Sequence, residues 1–330
     1  MNVSVVERRF AFRAPLRTAY GELRGRAVLE LQVEEGEVVG VGEAAPLEPY
    51  DGVSLDAVRA ALERCRPLLE DAAHGDREEL VDACWLEAGL PQAVAAVDLA
   101  LWDLEGKQTA RPVAGLLGAH ALAPVPVSAA IGAVDRAGAA AEAAAAVADG
   151  FTTLKVKVGV GDDAGRLAAV RAVAPEAALR ADANGAWTVD EAVAALASLE
   201  GVGLELVEEP VHGLEALHAL RERVEVPIVM DETAAEPGAV SSGAADGVCL
   251  KVAACGGISG LLATAEAARA AGAFVYVGST YDGPVGIAAG VHAAAALQPT
   301  AACGLATLRL FVDARDVPFA PRGPGFGVRE

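Results

Sequence analysis

The sequence predicts an α/β protein in which a small α+β cap leads into a closed barrel of alternating strands and helices. Three observations carry this. Residues 1 to about 47 read as strands and are followed by helical periodicity. From about residue 125, short apolar runs alternate with Ala-rich amphipathic stretches, the pattern of parallel strands joined by crossover helices. Polar residues end almost every strand of that second series, which suits a barrel mouth better than a single crevice.

In the cap, VLELQVEE alternates, turns at Glu35-Gly36 and continues as VVGVGEAAP, predicting a hairpin. Residues 55–72 and 76–88 predict helices, with Asp56 and Asp76 as early-turn acids. After Pro91, the apolar residues Val94, Val97, Leu99, Leu101 and Trp102 recur at helical spacing and predict a long helix leading onward. The barrel series begins with PVPVSAAIG and a helix over 134–149, then TTLKVKVG and 163–174, ALRADA and 188–199. It continues with LELVEE and 213–223, PIVMDE and a short helix, GVCLKV and 257–271, FVYVGS and 284–297. These make about seven units, shorter than the roughly 30 residues per unit of a typical eight-fold barrel. No GxGxxG stands between a strand and a helix, as a doubly wound nucleotide-binding sheet would want. The Pro/Gly-rich tail FAPRGPGFGVRE is expected to fold back over the cap. The expected division is a capping domain over 1–98, completed by 308–330, and a barrel over 99–307 that carries the site.

Composition narrows the partners. The 330 residues carry a net charge of −20, which argues against nucleic acid and anionic membrane surfaces. An anionic small-molecule substrate remains open, because a bound cation dominates its own site. Hydrophobic residues make up 53% and aromatics 4%, so Ala, Val and Leu must fill the core. The five cysteines (Cys65, Cys84, Cys249, Cys255, Cys303) are odd in number and lack zinc-type spacing, so they read as reduced core residues of a cytoplasmic protein. Charges at Glu7, Arg8 and Arg9 interrupt what a signal peptide would keep apolar, and no run reaches the ~18 apolar residues of a membrane span. A homo-oligomer is compatible with all of this.

The chemistry sits at strand ends. Lys155 and Lys157 share one face of TLKVKVG, because side chains alternate along a strand. Asp182, Glu208 and Asp231 end three successive strands, and Lys251 ends the next. Oxygen donors without His or Cys suit Mg²⁺ and speak against Zn²⁺. Each acid alone would be an ordinary helix N-cap, but three in register are expected to hold one ion. Glu209 and Glu232, which follow two of these acids, are expected to act as hydrogen-bonding supports, and Asn184 to hold a metal-bound water. Three acids bracketed by amines suit removal of a proton α to a carboxylate, where a metal stabilises the enediolate and a lysine of lowered pKa is the base. A Schiff-base lysine on the same barrel is the competing chemistry.

TLKVKVG, RADANGAW, LVEEP, VMDET and LKVAACGG resemble the enolase superfamily, in the subgroup of muconate-lactonizing enzyme, over nearly the whole chain. A lysine or histidine base working beside Mg²⁺ is that superfamily's general solution to enediolate chemistry. AVDLALWDLEGKQTARPVAGLLG is similar to the family's helix between cap and barrel. The resemblance implies a modified TIM barrel, (β/α)7β, with an N-terminal α+β capping domain. It implies Lys157 as the proton-abstracting base, Lys155 as its electrostatic neighbour, Lys251 as the opposing lysine, and Asp182, Glu208 and Asp231 as ligands of Mg²⁺, with Mn²⁺ as a substitute. GVGEAAPLEPYDG and ACGLATLRLFVDA are similar to segments of the o-succinylbenzoate synthases. That likeness implies a carbon–oxygen lyase dehydrating 2-succinyl-6-hydroxy-2,4-cyclohexadiene-1-carboxylate in menaquinone biosynthesis. The alternatives in the subgroup are a dipeptide or N-acyl amino acid epimerase or racemase and a muconate-type cycloisomerase. Two departures stand out. Asp282 occupies a place where many relatives have Glu, and Asp313 and Asp316 do not form the Asp-x-Asp feature of dipeptide epimerases. Arg17 and Tyr20 in a closing cap loop, with Ser279, Thr280 and Asp282 at the mouth, are the expected substrate contacts.

Overall fold

The computed structural model describes residues 1–18, 21–71, 76–119, 122–132, 135–314 and 317–328. Ala19, Tyr20, His74, His120 and Asp316 lie outside the described residues, as does the side chain of Arg17.

The chain opens with an antiparallel sheet of β1 (Asn2–Thr18), β2 (Gly21–Glu35) and β3 (Val38–Ala44), in that order. Gly36 at φ +63° makes the turn between β2 and β3, a conformation that costs glycine nothing. Leu29, Leu31 and Val33 alternate onto the buried face of β2. They meet α2 (Leu55–Asp71), α3 (Arg77–Ala88) and α4 (Pro91–Gln108), which follow the single turn α1 (Glu48–Asp51). Gly40 and Gly42 lie on β3 where it meets α4. A Cβ at either would collide with the backbone of α4, so the helix lies directly on the strand.

After α5 (Val113–Leu116), seven parallel strands alternate with helices. They are β4 (Ala129–Ile131), α6 (Arg136–Ala148), β5 (Thr153–Lys157), α7 (Asp163–Val173), β6 (Ala178–Asp182) and α8 (Val189–Ser198). The series goes on through β7 (Leu204–Glu208), α9 (Leu214–Arg221), β8 (Ile228–Met230), β9 (Gly247–Lys251), α10 (Ile258–Ala270), β10 (Phe274–Gly278) and α11 (Pro284–Leu297). The strands lie in chain order, each hydrogen-bonded to the next. Two parallel bridges close the cylinder, Val127 to Cys303 and Gly278 to Gly304, so a short segment stands between β10 and the β4 side. Arg180, 1% exposed, ties this closure to β6 by donating to the Ala302 carbonyl at 2.6 Å. The result is the (β/α)7β barrel with an antiparallel α+β cap that the sequence predicts.

Among the described residues, the unit after β8 has no α-helix. Two 3-10 turns, Glu232–Ala235 and Ala239–Ser241, take its place, because Pro237 and Gly238 fall where a helix would continue. The C-terminal segment binds both layers. Val312 N–H donates to the Ala11 carbonyl at 2.9 Å, and Phe311 stacks on Phe12 with centroids 4.7 Å apart. Asp103 of α4 accepts from Phe326 N at 2.8 Å and from Val41 N at 2.9 Å, fixing tail and β3 to one carboxylate. The division expected near residue 98 therefore falls inside α4, a continuous helix. Among the described residues, no helix is long and apolar enough to cross a membrane.

Candidate active site at the barrel mouth

Strand register assembles the site. Lys157 at the end of β5 pairs with Asp182 at the end of β6, and Asp182 with Glu208 at the end of β7. β8 stops one residue earlier, so Asp231 is the first residue beyond it, and Lys251 ends β9 opposite Gly278. Asp182, Glu208, Asp231 and Lys251 are all buried, while Lys155 and Lys157 are partly so.

None of the three carboxylates is used up as a helix cap. α8 is capped instead by a Thr188–Glu191 capping box, and the turn after Asp231 has no side-chain cap. Apart from the Asn184 N–H that donates to Asp182 Oδ1 at 3.1 Å, their partners are amines and phenols. Lys155 Nζ stands 2.8 Å from Glu208 Oε1 and 3.0 Å from Asp182 Oδ2. Lys251 Nζ pairs with Asp231 Oδ1 and donates to Tyr50 Oη at 2.7 Å, over whose ring it lies at 4.5 Å. Tyr276 Oη donates to the other oxygen of Glu208 at 2.5 Å. Lys157, by contrast, makes no hydrogen bond or ion pair among the described residues.

The charges separate the lysines. Burial would discharge each of them. At Lys155, Asp182 and Glu208 override burial, and at Lys251 Asp231 does so, leaving both amines well above the usual lysine range. At Lys157 burial prevails, opposed by Asp182 and assisted by the like charge of Lys155, so its pKa is lowered. Asp231 is pushed up by burial, with Lys251 opposing.

Glu209 is fully buried and accepts from Asp231 N at 2.8 Å and Thr233 N at 3.0 Å, and from the Thr233 hydroxyl. His212 Nδ1 lies 3.0 Å from the same carboxylate. Asn184 donates its side-chain amide to Glu232 Oε1 at 2.8 Å. Asn184 and Glu209 adopt φ of +44° and +37°, strained for residues with a side chain and costing on the order of 1 kcal/mol each.

The expected substrate contacts fare differently. Tyr20 and the side chain of Arg17 lie outside the described residues. Ser279 Oγ bonds the Gly304 carbonyl at 3.2 Å and Thr307 at 3.0 Å. Thr280 and Asp282 are buried and bond each other, at 2.8 Å from Thr280 Oγ1 to Asp282 Oδ1. Thr280 and Asp282 stabilise the turn before α11, where Arg26 and Glu43 of the cap meet the barrel, while Ser279 ties β10 to the closing segment. Residues the sequence did not assign to the site also reach it. Tyr50 reaches in from the cap, and the Tyr281 phenol is raised by burial while also feeling Lys155, Asp182 and Lys251. Cys249 brings its sulfur within 4.8 Å of oxygens of Glu208 and Asp231. Cys249 and Tyr276 lie on inward faces that strand alternation could have marked, but their types read as core.

Glu208 and Asp231 converge within 4.8 Å, and carboxylate oxygens of this kind suit a hard divalent cation; Asp182 stands outside that group and joins Glu208 through one shared ammonium. The family profile described as "Enolase C-terminal domain-like" matches residues 138–329. That described as "Mandelate racemase / muconate lactonizing enzyme, N-terminal domain" matches residues 1–118. The chain belongs to the enolase superfamily. Among curated superfamily members, L-Ala-D/L-Glu epimerase of Bacillus subtilis is 32% identical over 86% of this chain and 80% of its own. The o-succinylbenzoate synthase of Thermobifida fusca is 44% identical over 60% of this chain, which spans 64% of that enzyme. The crystal structure of a dipeptide epimerase from Enterococcus faecalis, complexed with Mg and L-Leu-L-Tyr, superposes with a TM-score of 0.91. It is 28% identical and covers 98% of both chains. An enolase-superfamily enzyme thus presents here one uncommitted lysine, two committed ones, the converging acids Glu208 and Asp231, and Asp182 linked to Glu208 through Lys155, at a mouth covered by its cap.

Proposed function

We propose that this enzyme removes a proton α to the carboxylate of a small molecule, with Mg²⁺ held by Asp182, Glu208 and Asp231. The observation that carries the reading is the in-register row Lys157–Asp182–Glu208, with Lys157 left without a partner among the described residues. Bound Mg²⁺ would supply electrostatic stabilisation for the charge that develops on the carboxylate oxygens. Lys157 takes the α proton, since burial and the neighbouring ammonium of Lys155 favour its neutral form. Lys155 holds Glu208 and Asp182 in orientation. Lys251, engaged by Asp231 and Tyr50, stays a cation on the opposing side and faces the enediolate electrostatically.

Within that chemistry, the proposed reaction is dehydration of 2-succinyl-6-hydroxy-2,4-cyclohexadiene-1-carboxylate to o-succinylbenzoate, a step of menaquinone synthesis in the cytoplasm. A syn elimination needs one base: Lys157 removes the proton, the C–O bond breaks, and the same proton leaves with hydroxide as water. The asymmetry between free Lys157 and engaged Lys251 supports this, as does the 44% identity to a synthase. A second reading, dipeptide or N-acyl amino acid epimerisation, is favoured by the fuller coverage of the Bacillus subtilis epimerase. Incubation with the cyclohexadiene substrate and with a dipeptide panel, with and without Mg²⁺ or Mn²⁺, separates them. Rapid o-succinylbenzoate formation with no epimerised dipeptide supports the lyase; the reverse outcome replaces it.

A further inference from the structure

The barrel interior beside Glu208 and Asp231 contains one donor that a magnesium site does not need. Cys249 lies two residues before Lys251 on β9, so it points to the same interior face one layer deeper. It is 4% exposed and makes no hydrogen bond among the described residues. Its sulfur and one oxygen each of Glu208 and Asp231 lie within 4.8 Å of one another. The direction of the thiol is set by its other neighbour. A Cβ at Gly278 would stand 2.6 Å from Sγ, so the missing side chain on β10 is what lets the sulfur occupy this height.

Hard Mg²⁺ ignores sulfur and takes oxygens in an octahedron, whereas Zn²⁺ and Cd²⁺ bind thiolate strongly and accept four donors. A tetrahedral ion with bonds near 2.1–2.3 Å holds its donors roughly 3.5 Å apart. Movements of about an ångström therefore bring this trio to bonding distance. We propose that Glu208, Asp231 and Cys249 form a thiophilic cation site overlapping the magnesium site, at which Zn²⁺ or Cd²⁺ binds through sulfur and excludes Mg²⁺. Binding replaces the thiol proton: Cys–SH and M²⁺ give Cys–S–M⁺, and the proton passes to solvent. The consequence is an enzyme blocked by thiophilic ions and restored by a chelator followed by Mg²⁺. The inference rests on the proposed role of the carboxylates in cation binding.

Cadmium reports its own ligation through thiolate-to-metal absorption in the ultraviolet. The full-length chain, stripped of metal, is titrated with Cd²⁺, and Mg²⁺ binding is followed separately by calorimetry. The expected result is a thiolate band saturating at one equivalent, suppressed competitively by excess Mg²⁺. Cys249→Ala should lose the band and bind Cd²⁺ at least tenfold more weakly, while its Mg²⁺ affinity shifts less than threefold. Cys249→Ser serves the same comparison if the alanine variant does not fold. A wild-type protein that binds Mg²⁺ but shows no band overturns the proposal, as does a band that survives in the variant because another cysteine supplies it. If neither ion binds, the carboxylate reading itself fails, which is a different result from sulfur standing aside.

Discussion

Lys157 and Asp182 face each other in register across β5 and β6, yet Asp182 gives its Oδ2 to Lys155 and Lys157 keeps its amine free. Two lysines spaced by one residue on one strand thereby take different roles. The inner one neutralises the acids, and the outer one is left with a lowered pKa beside the place where charge would develop.

Lys157→Ala should reduce turnover by about 10²–10⁴, the usual contribution of a general base, while Mg²⁺ affinity changes only a few-fold. Steady-state kinetics and calorimetry on the same preparation check both halves. Deuterium exchange at the α carbon should vanish in this variant. In Lys251→Ala it should persist on one face if the enzyme is a lyase, whereas exchange of both enantiomers by way of both lysines would assign an epimerase.

Removing one acid should act on the cation first. Asp182→Asn, Glu208→Gln and Asp231→Asn each delete a charge from the donor set, and Mg²⁺ binding should weaken by roughly tenfold or more. Chelation of the wild type should abolish activity reversibly. Full activity of chelated enzyme, with trapping of a keto substrate by borohydride, would instead point to a Schiff base on lysine.

Tyr50→Phe removes the hydroxyl that receives the Lys251 ammonium at 2.7 Å while keeping the ring beneath it. The same hydroxyl donates to Asp231 Oδ1 at 3.3 Å, so two hydrogen bonds to charged groups are lost, each worth about 1.5–3 kcal/mol. The expected outcome is a kcat lowered roughly tenfold with KM within threefold. An unchanged kcat would confine Tyr50 to covering the mouth.

The strand-end lysines and acids are legible in the sequence because each ends a short apolar run whose alternation is undisturbed, as in TLKVK and GVCLK. Tyr50 is not. It stands 201 residues from Lys251, and only packing of the cap on the barrel brings them together. The segment that closes the barrel is hidden for another reason: bridges at Cys303 and Gly304 alone are too short to show a period of two. Thr280 and Asp282 look like mouth residues because they follow β10. Their hydrogen bonds also build the turn that meets Arg26 and Glu43, a cap contact with no local signature.

His292 makes folding sensitive to acid. It is 1% exposed in α11, and its Nδ1 accepts from Ala114 N at 2.9 Å, so the ring must be neutral there. Burial lowers its pKa from 6.5 to about 4. The unfolded chain binds this proton more readily than the folded one, so the stabilisation is complete above pH 6.5 and is lost as pH falls toward 4. The loss is on the order of 3 kcal/mol across that window. Urea unfolding at about pH 7 and about pH 5 should show it, and His292→Gln should flatten the dependence.

Glu43 works in the opposite direction. It is 2% exposed on β3, accepts from Gly283 N at 2.7 Å, and lies beside Asp282. Burial first, and Asp282 next, raise its pKa from 4.5 to about 8. The folded state therefore holds this proton more tightly than the unfolded state. Its contribution is fully present below pH 4.5 and is lost as pH rises through 8. Glu43→Gln keeps an acceptor for Gly283 and removes the ionisation. The variant should gain on wild type as pH rises from about 6 to about 9, by up to a few kcal/mol on the scale of about 1.36 kcal/mol per unit. Because Gly283 is the N-cap of α11 and sits two residues past Tyr281, the same titration should loosen that turn. Hydrogen exchange at Gly283 should accelerate above about pH 8 in wild type, beyond its intrinsic base catalysis, and not in Glu43→Gln.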